Sequence, residues 1–213
     1  MITSLSHYST IDDSLDYLGD ASLGEDNLLQ LQLYSMGGAV IGNDGKMYVH
    51  PQSDRKEAHQ QEARVMKKVV NNYLDSKVGK AFTNYVKQQG KKFTPIVGIG
   101  TEDLGENTVA ALRTNDLEAV LLSNYDGKGI EKRALEMAQA YGILDTQMML
   151  DYVITHELAH AAGYKSEADT ERFVGQFYTN LAQRSTGKEQ EKYLVLAAVA
   201  GMRAEEAGKK ENN

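Results

Sequence analysis

At 213 residues, with 41% hydrophobic and 25% charged side chains, the chain has enough apolar material to bury a core and lacks the composition of a disordered protein. Its formal charge of −7, with lysines scattered among acids, argues against a phosphate-binding face, so no nucleic-acid partner is expected. The absence of cysteine excludes disulfides, thiolate nucleophiles and cysteine-held zinc, leaving His, Asp and Glu to hold any metal.

Residues 1–30 are polar and acidic with interspersed leucines, which suits short helices and turns. They lack the basic start and apolar run of a secretory signal, and no stretch approaches the roughly 18 apolar residues of a membrane span; a cytoplasmic protein that makes no membrane contact is expected. Asn43-Asp44-Gly45 lies between two short apolar runs and predicts a β-hairpin over 39–49, within an N-terminal segment of residues 1–50. From 53 to 89 there is no proline, and Val65, Val69, Tyr73, Phe82 and Val86 recur at helix spacing across Gly79, predicting one long helix or two in succession. Three β-branched or aliphatic runs, 94–100, 108–113 and 118–123, are separated by turn-prone residues and predict a small sheet. Helices are expected over 130–141, 145–162, 166–184 and 188–207; the last is too short to cross a bilayer and reads as a core helix. The economical organisation is a single α+β domain over 1–213, with its core chemistry in 94–185.

The chemistry-bearing string is His156-Glu157-Leu158-Ala159-His160, inside the helix predicted over 145–162. Residues four apart on a helix are offset by about 40° and rise about 6 Å, so both imidazoles project from one face and can reach one ion. Glu157 sits about 100° round, where it can meet a metal-bound water without ligating the metal. A hydrolytic zinc needs three protein ligands and an open position, so a third donor is required. Gly163 ends the helix, Tyr164 and Lys165 make a tight connection, and Ser166 suits the N-cap of a helix folding back beside the first. On that helix Glu167 shares a stripe with Val174, Tyr178 and Leu181, with Glu171 and Phe177 at its margins, so a carboxylate falls on the apolar face. Glu167 is the expected third ligand. Glu171, one turn on, is expected to accept a histidine's distal N–H, or to be the ligand itself if the helix boundary slips. Asp169 points the other way, towards solvent.

The motif resembles that of the zincin metallopeptidases, and Glu167 with Glu171 looks like the Glu-x-x-x-Asp/Asn/Glu element of the branch with a glutamate ligand, the gluzincins. The resemblance covers roughly residues 108–182. It implies a zincin-like α+β fold, a Zn2+ cofactor and a peptide or protein substrate, bound along an edge strand supplied by 108–113 or 118–123. It also implies hydrolysis by a zinc-activated water with Glu157 as general base. Tyr164 and Tyr178 are the nearest candidates for oxyanion stabilisation. Ser166 stands where a metzincin would have its third histidine, which disfavours that branch. Two other functions remain open: a zinc amidase or deacylase acting on a small substrate, and a catalytically silent, zinc-stabilised binding or regulatory module. The plainer readings are packing for Tyr164, a solvated pair with Arg172 or Lys165 for Glu171, and surface positions for His7, His50 and His59.

Overall fold

A computed structural model describes residues 57–102, 104–105, 108–114, 119–124 and 128–211. The hairpin expected over 39–49, with the rest of the 1–50 segment, lies outside the described residues. The proline-free stretch forms two helices, α1 (Glu57–Asp75) and α2 (Lys77–Gln88). The break falls at Ser76, whose backbone is extended and whose side chain caps α2 by accepting from the Gly79 N–H at 3.0 Å. Gly79, the apparent interruption in the sequence, is inside α2.

Three strands follow: β1 (Ile96–Glu102), β2 (Ala110–Thr114) and β3 (Ala119–Asn124). Their order is β1-β3-β2, with β3 central, parallel to β1 and antiparallel to β2. Alternation along the strands sorts their side chains. Ile96, Ile99, Ala110, Leu112, Ala119 and Leu121 join the main core, while Ala111 and Leu122 form a small separate cluster with Leu104. α1 packs against β1 and β3, and the site helix described below packs beside β2.

The rest is helical: α3 (Ile130–Ala140), α4 (Thr146–Ala161), α5 (Glu167–Gln183) and α6 (Gly187–Glu211). Gly129, at the N-cap of α3, has no side chain to cap with, and the buried Glu62 of α1 takes over, accepting from Ile130 N and from Ser123 Oγ, both at 2.7 Å. A Cβ at position 129 would lie 2.2 Å from the Glu62 carboxylate, so a larger residue there would displace that side chain from its capping position. Phe82 of α2 is enclosed by Phe93, Phe173 and Phe177, with ring centroids 5.0–6.2 Å away. These edge and tilted contacts tie α2 to α5 and support the site from behind. α6 runs along α5 and extends to Glu211, one turn beyond the stretch its apolar pattern predicts. Its buried face is Tyr193, Leu196, Val199, Ala200, Arg203 and Ala204, an apolar stripe holding one arginine. None of the described helices is long and apolar enough to cross a membrane. Among the described residues the architecture is mixed α+β, mostly helical, with one small three-stranded sheet.

Candidate metal centre

α4 is capped by Asp145, which accepts from the Met148 N–H at 3.2 Å, and its residues from Tyr152 to Ala161 are all buried. A helix apolar all round belongs in a core, so His156, Glu157 and His160 are polar groups carried into the interior by it. The helix stops at Gly163, which adopts φ +93°. The Gly163 N–H then reaches the His160 carbonyl at 2.9 Å and the Tyr164 N–H reaches the Ala159 carbonyl at 3.3 Å. This left-handed terminator reverses the chain within two residues and is strained for any residue with a Cβ. Ser166 caps α5, accepting from the Asp169 N–H at 3.1 Å, and the reversal sets Glu167 opposite the two histidines.

The three side chains form a tight triangle. His156 Nε2 is 3.1 Å from His160 Nε2. Glu167 places Oε2 3.3 Å from His156 Nε2 and Oε1 3.4 Å from His160 Nε2. A tetrahedral ion with N and O ligands at about 2.05 Å sets those ligands about 3.3 Å apart. The closest contacts, made through two different Glu167 oxygens, lie near that spacing, and His156, His160 and Glu167 form a group that could hold a metal ion.

The far side of each ring strengthens the case. His160 Nδ1 lies 2.7 Å from the Tyr164 carbonyl, an obligate acceptor, and the Thr170 hydroxyl adds a contact at 3.3 Å. His156 Nδ1 lies 3.2 Å from Glu171 Oε1. His160 Nδ1 faces the Tyr164 carbonyl, and the Glu171 carboxylate lies beside His156 Nδ1 without hydrogen-bond geometry; with both rings protonated at Nδ1 alone, both Nε2 lone pairs would face the Glu167 carboxylate. Three electron-pair donors this close repel one another unless a cation sits among them. Glu167 Oε1 is buried with no hydrogen-bond partner among the described residues, as a ligand atom awaiting an ion should be.

Electrostatics point the same way. Burial alone would lower the His156 pKa, but the carboxylates of Glu171 and Glu167 outweigh it and push the imidazole up to about 10. Glu167 is driven the opposite way: its partial burial would raise it, and the two histidines hold it well below the usual carboxylate range. The acids thus demand positive charge at the rings, which either a proton or a metal ion supplies.

Glu157 stands apart from this pairing. It is 1% exposed, and neither carboxylate oxygen has a hydrogen-bond partner among the described residues. Burial raises its pKa, with His156 and His160 pulling it back in part.

Glu171 is more buried than Glu167, although the stripe pattern put it at the margin; its side chain is 1% exposed against 21%. It accepts from the Tyr152 hydroxyl through Oε2 and from Arg203 Nε through Oε1. Burial raises its pKa, but His156 and Arg203 prevail and hold it below the ordinary value. Arg172 does not reach Glu171; it pairs with the exposed Asp169 at 2.7 Å. Tyr164 stacks on Phe173 at 4.2 Å, with the Lys91 ammonium 5.0 Å from its ring centroid, and turns its backbone carbonyl to the site. The Tyr178 hydroxyl is buried and bonded to Thr155 at 2.9 Å. Neither tyrosine hydroxyl joins the His156–His160–Glu167 group.

Tyr152, Thr170 and Arg203 are partners that sequence reasoning missed. Arg203 had a visible signal, a charge at the helix spacing of the buried stripe Tyr193, Leu196 and Val199. Tyr152 lies four residues before His156, on the same helix face. Comparison with protein-family models, curated proteins and solved structures finds no match to this chain.

Proposed function

We propose that the protein is a zinc metallopeptidase of the gluzincin kind, hydrolysing peptide bonds with His156, His160 and Glu167 as zinc ligands and Glu157 as general base. A zinc ion bound there supplies Lewis acidity, lowering the pKa of its water to about 7 and polarising a carbonyl oxygen. The chain's own groups do the rest. The Tyr164 carbonyl at His160 Nδ1 and the Glu171 carboxylate beside His156 Nδ1 favour Nε2 as the donor atom of each ring. Glu157, raised by burial, is tuned to take a proton from the attacking water and return it to the leaving amine.

Glu157 carries this reading. A buried carboxylate whose oxygens lack protein partners costs several kcal/mol unless it neutralises or finds a partner, and a purely structural metal site has no use for it. β2 lends support, since among the described strands it is an edge of the sheet, antiparallel to β3 and packed beside α4, where an extended peptide could add as a further strand. A zinc amidase or deacylase acting on a small substrate is the second reading, since the same ligands and base would serve any amide carbonyl. Glu157→Gln tests the proposal: the variant is expected to retain zinc and lose peptide hydrolysis, measured with a quenched peptide library. Unchanged turnover removes Glu157 from its role, and cleavage of small acyl amides alone selects the second reading.

A further inference from the structure

α6 supplies no ligand, yet it delivers a buried guanidinium to the back of the site. Arg203 is 8% exposed and donates through Nε to Glu171 Oε1, the same oxygen that lies 3.2 Å from His156 Nδ1. The Tyr152 hydroxyl holds the other oxygen of Glu171. With both oxygens anchored, the carboxylate cannot rotate about its terminal bond, and Oε1 stays aimed at the ring. Arg203 and His156 are 47 residues apart in sequence, and a single carboxylate oxygen joins them.

We infer that Arg203 is a positioning residue for the metal centre: through Glu171 it fixes the orientation and tautomer of His156, and this makes the C-terminal helix part of the machinery that sets metal affinity. The inference rests on the metal-site reading above and deepens it. Arg203 is the one charged residue on the buried stripe of α6, whose other members carry no charge. An arginine suits the task better than a lysine, since its planar Nε–H donor has a fixed direction and an ammonium does not. Loss of an outer partner of a metal-bound histidine typically weakens metal affinity by about 10- to 100-fold.

The experiment measures the zinc Kd of the folded full-length chain by chelator competition for wild type, Arg203→Met, Glu171→Gln and the double variant. Arg203→Met is expected to raise the Kd about 10- to 100-fold, and the double variant to lose no more than Glu171→Gln alone, because Arg203 acts only through that carboxylate. Nitrogen NMR of the zinc-loaded wild type should show His156 protonated at Nδ1, with that signal altered in Arg203→Met. A folded Arg203→Met chain with wild-type Kd, or losses that multiply in the double variant, overturns the inference. If Arg203→Met does not fold, Arg203→Lys carries the test: it keeps the buried charge without the in-plane donor, and a wild-type Kd there overturns the inference equally. A wild-type chain that takes up no zinc removes the metal centre itself, which is a distinct result from zinc binding that ignores position 203.

Discussion

Thr155 precedes His156 and joins three parts of the molecule through one hydroxyl. Its Oγ1 lies 2.7 Å from the Tyr73 hydroxyl of α1 and 2.9 Å from the Tyr178 hydroxyl of α5, and it donates to the Asp151 carbonyl at 2.7 Å. Both tyrosines are essentially fully buried, and burial raises the pKa of each, so neither hydroxyl escapes by ionising. Thr155→Val preserves shape and removes the hydroxyl, stranding two buried polar groups. Each stranded group costs about 1–3 kcal/mol, and with partial local relaxation the expected loss is about 2–4 kcal/mol. Urea unfolding of chelator-treated protein measures it without the contribution of bound metal. With a slope of about 2 kcal/mol per molar, the midpoint should fall by about 1–2 M at unchanged slope. Tyr178→Phe should cost about 1 kcal/mol, since Thr155 keeps its other two partners. A midpoint shift for Thr155→Val below about 0.3 M would show that the hydroxyl network does not hold α4 between α1 and α5, and the reasoning would fail.

Two further outcomes follow from the site and its cap. Glu167→Ala removes a donor that faces both Nε2 atoms and should abolish tight zinc binding, whereas Glu171→Ala removes no donor to the ion but the carboxylate beside His156 Nδ1, which also pairs with Tyr152 and Arg203, and should weaken binding about 10- to 100-fold. Isothermal titration reads both, and a larger loss for Glu171→Ala exchanges their roles. Asp145 caps α4 and accepts from Lys192 at 2.6 Å, and that hydrogen bond lowers its pKa below the ordinary value. A folded pKa below the unfolded one contributes stability that is present above about pH 4 and is lost as pH falls through the folded value. Asp145→Ala should therefore cost about 1 kcal/mol at neutral pH, mostly the cap, and the difference from wild type should shrink in strong acid. Asp145→Asn keeps the cap, so thermal melts should place it closer to wild type; equal melting of the two variants would refute the capping role.

The sequence by itself determined the local features. Apolar periodicity located α3 to α6 and the three strands to within a few residues, because helix and strand spacing are properties of neighbouring side chains. Ser166 and Gly163 announced the reversal between α4 and α5 for the same reason: caps and left-handed terminators depend on adjacent residues. That reversal brought Glu167 opposite two histidines spaced four apart, so the grouping of these three side chains was legible as short-range geometry. What the tertiary structure alone decided lies at long range. It buried Glu171 beyond its marginal place on the stripe, by packing α6 against α5 and setting Arg203 on it from 32 residues away. It also joined Tyr73 to Thr155, 82 residues apart, and thereby took the Tyr178 hydroxyl into a packing network. A side chain's neighbours across an interface depend on how whole helices dock, and docking is set by the summed shape and burial of many residues, which no short window of sequence contains.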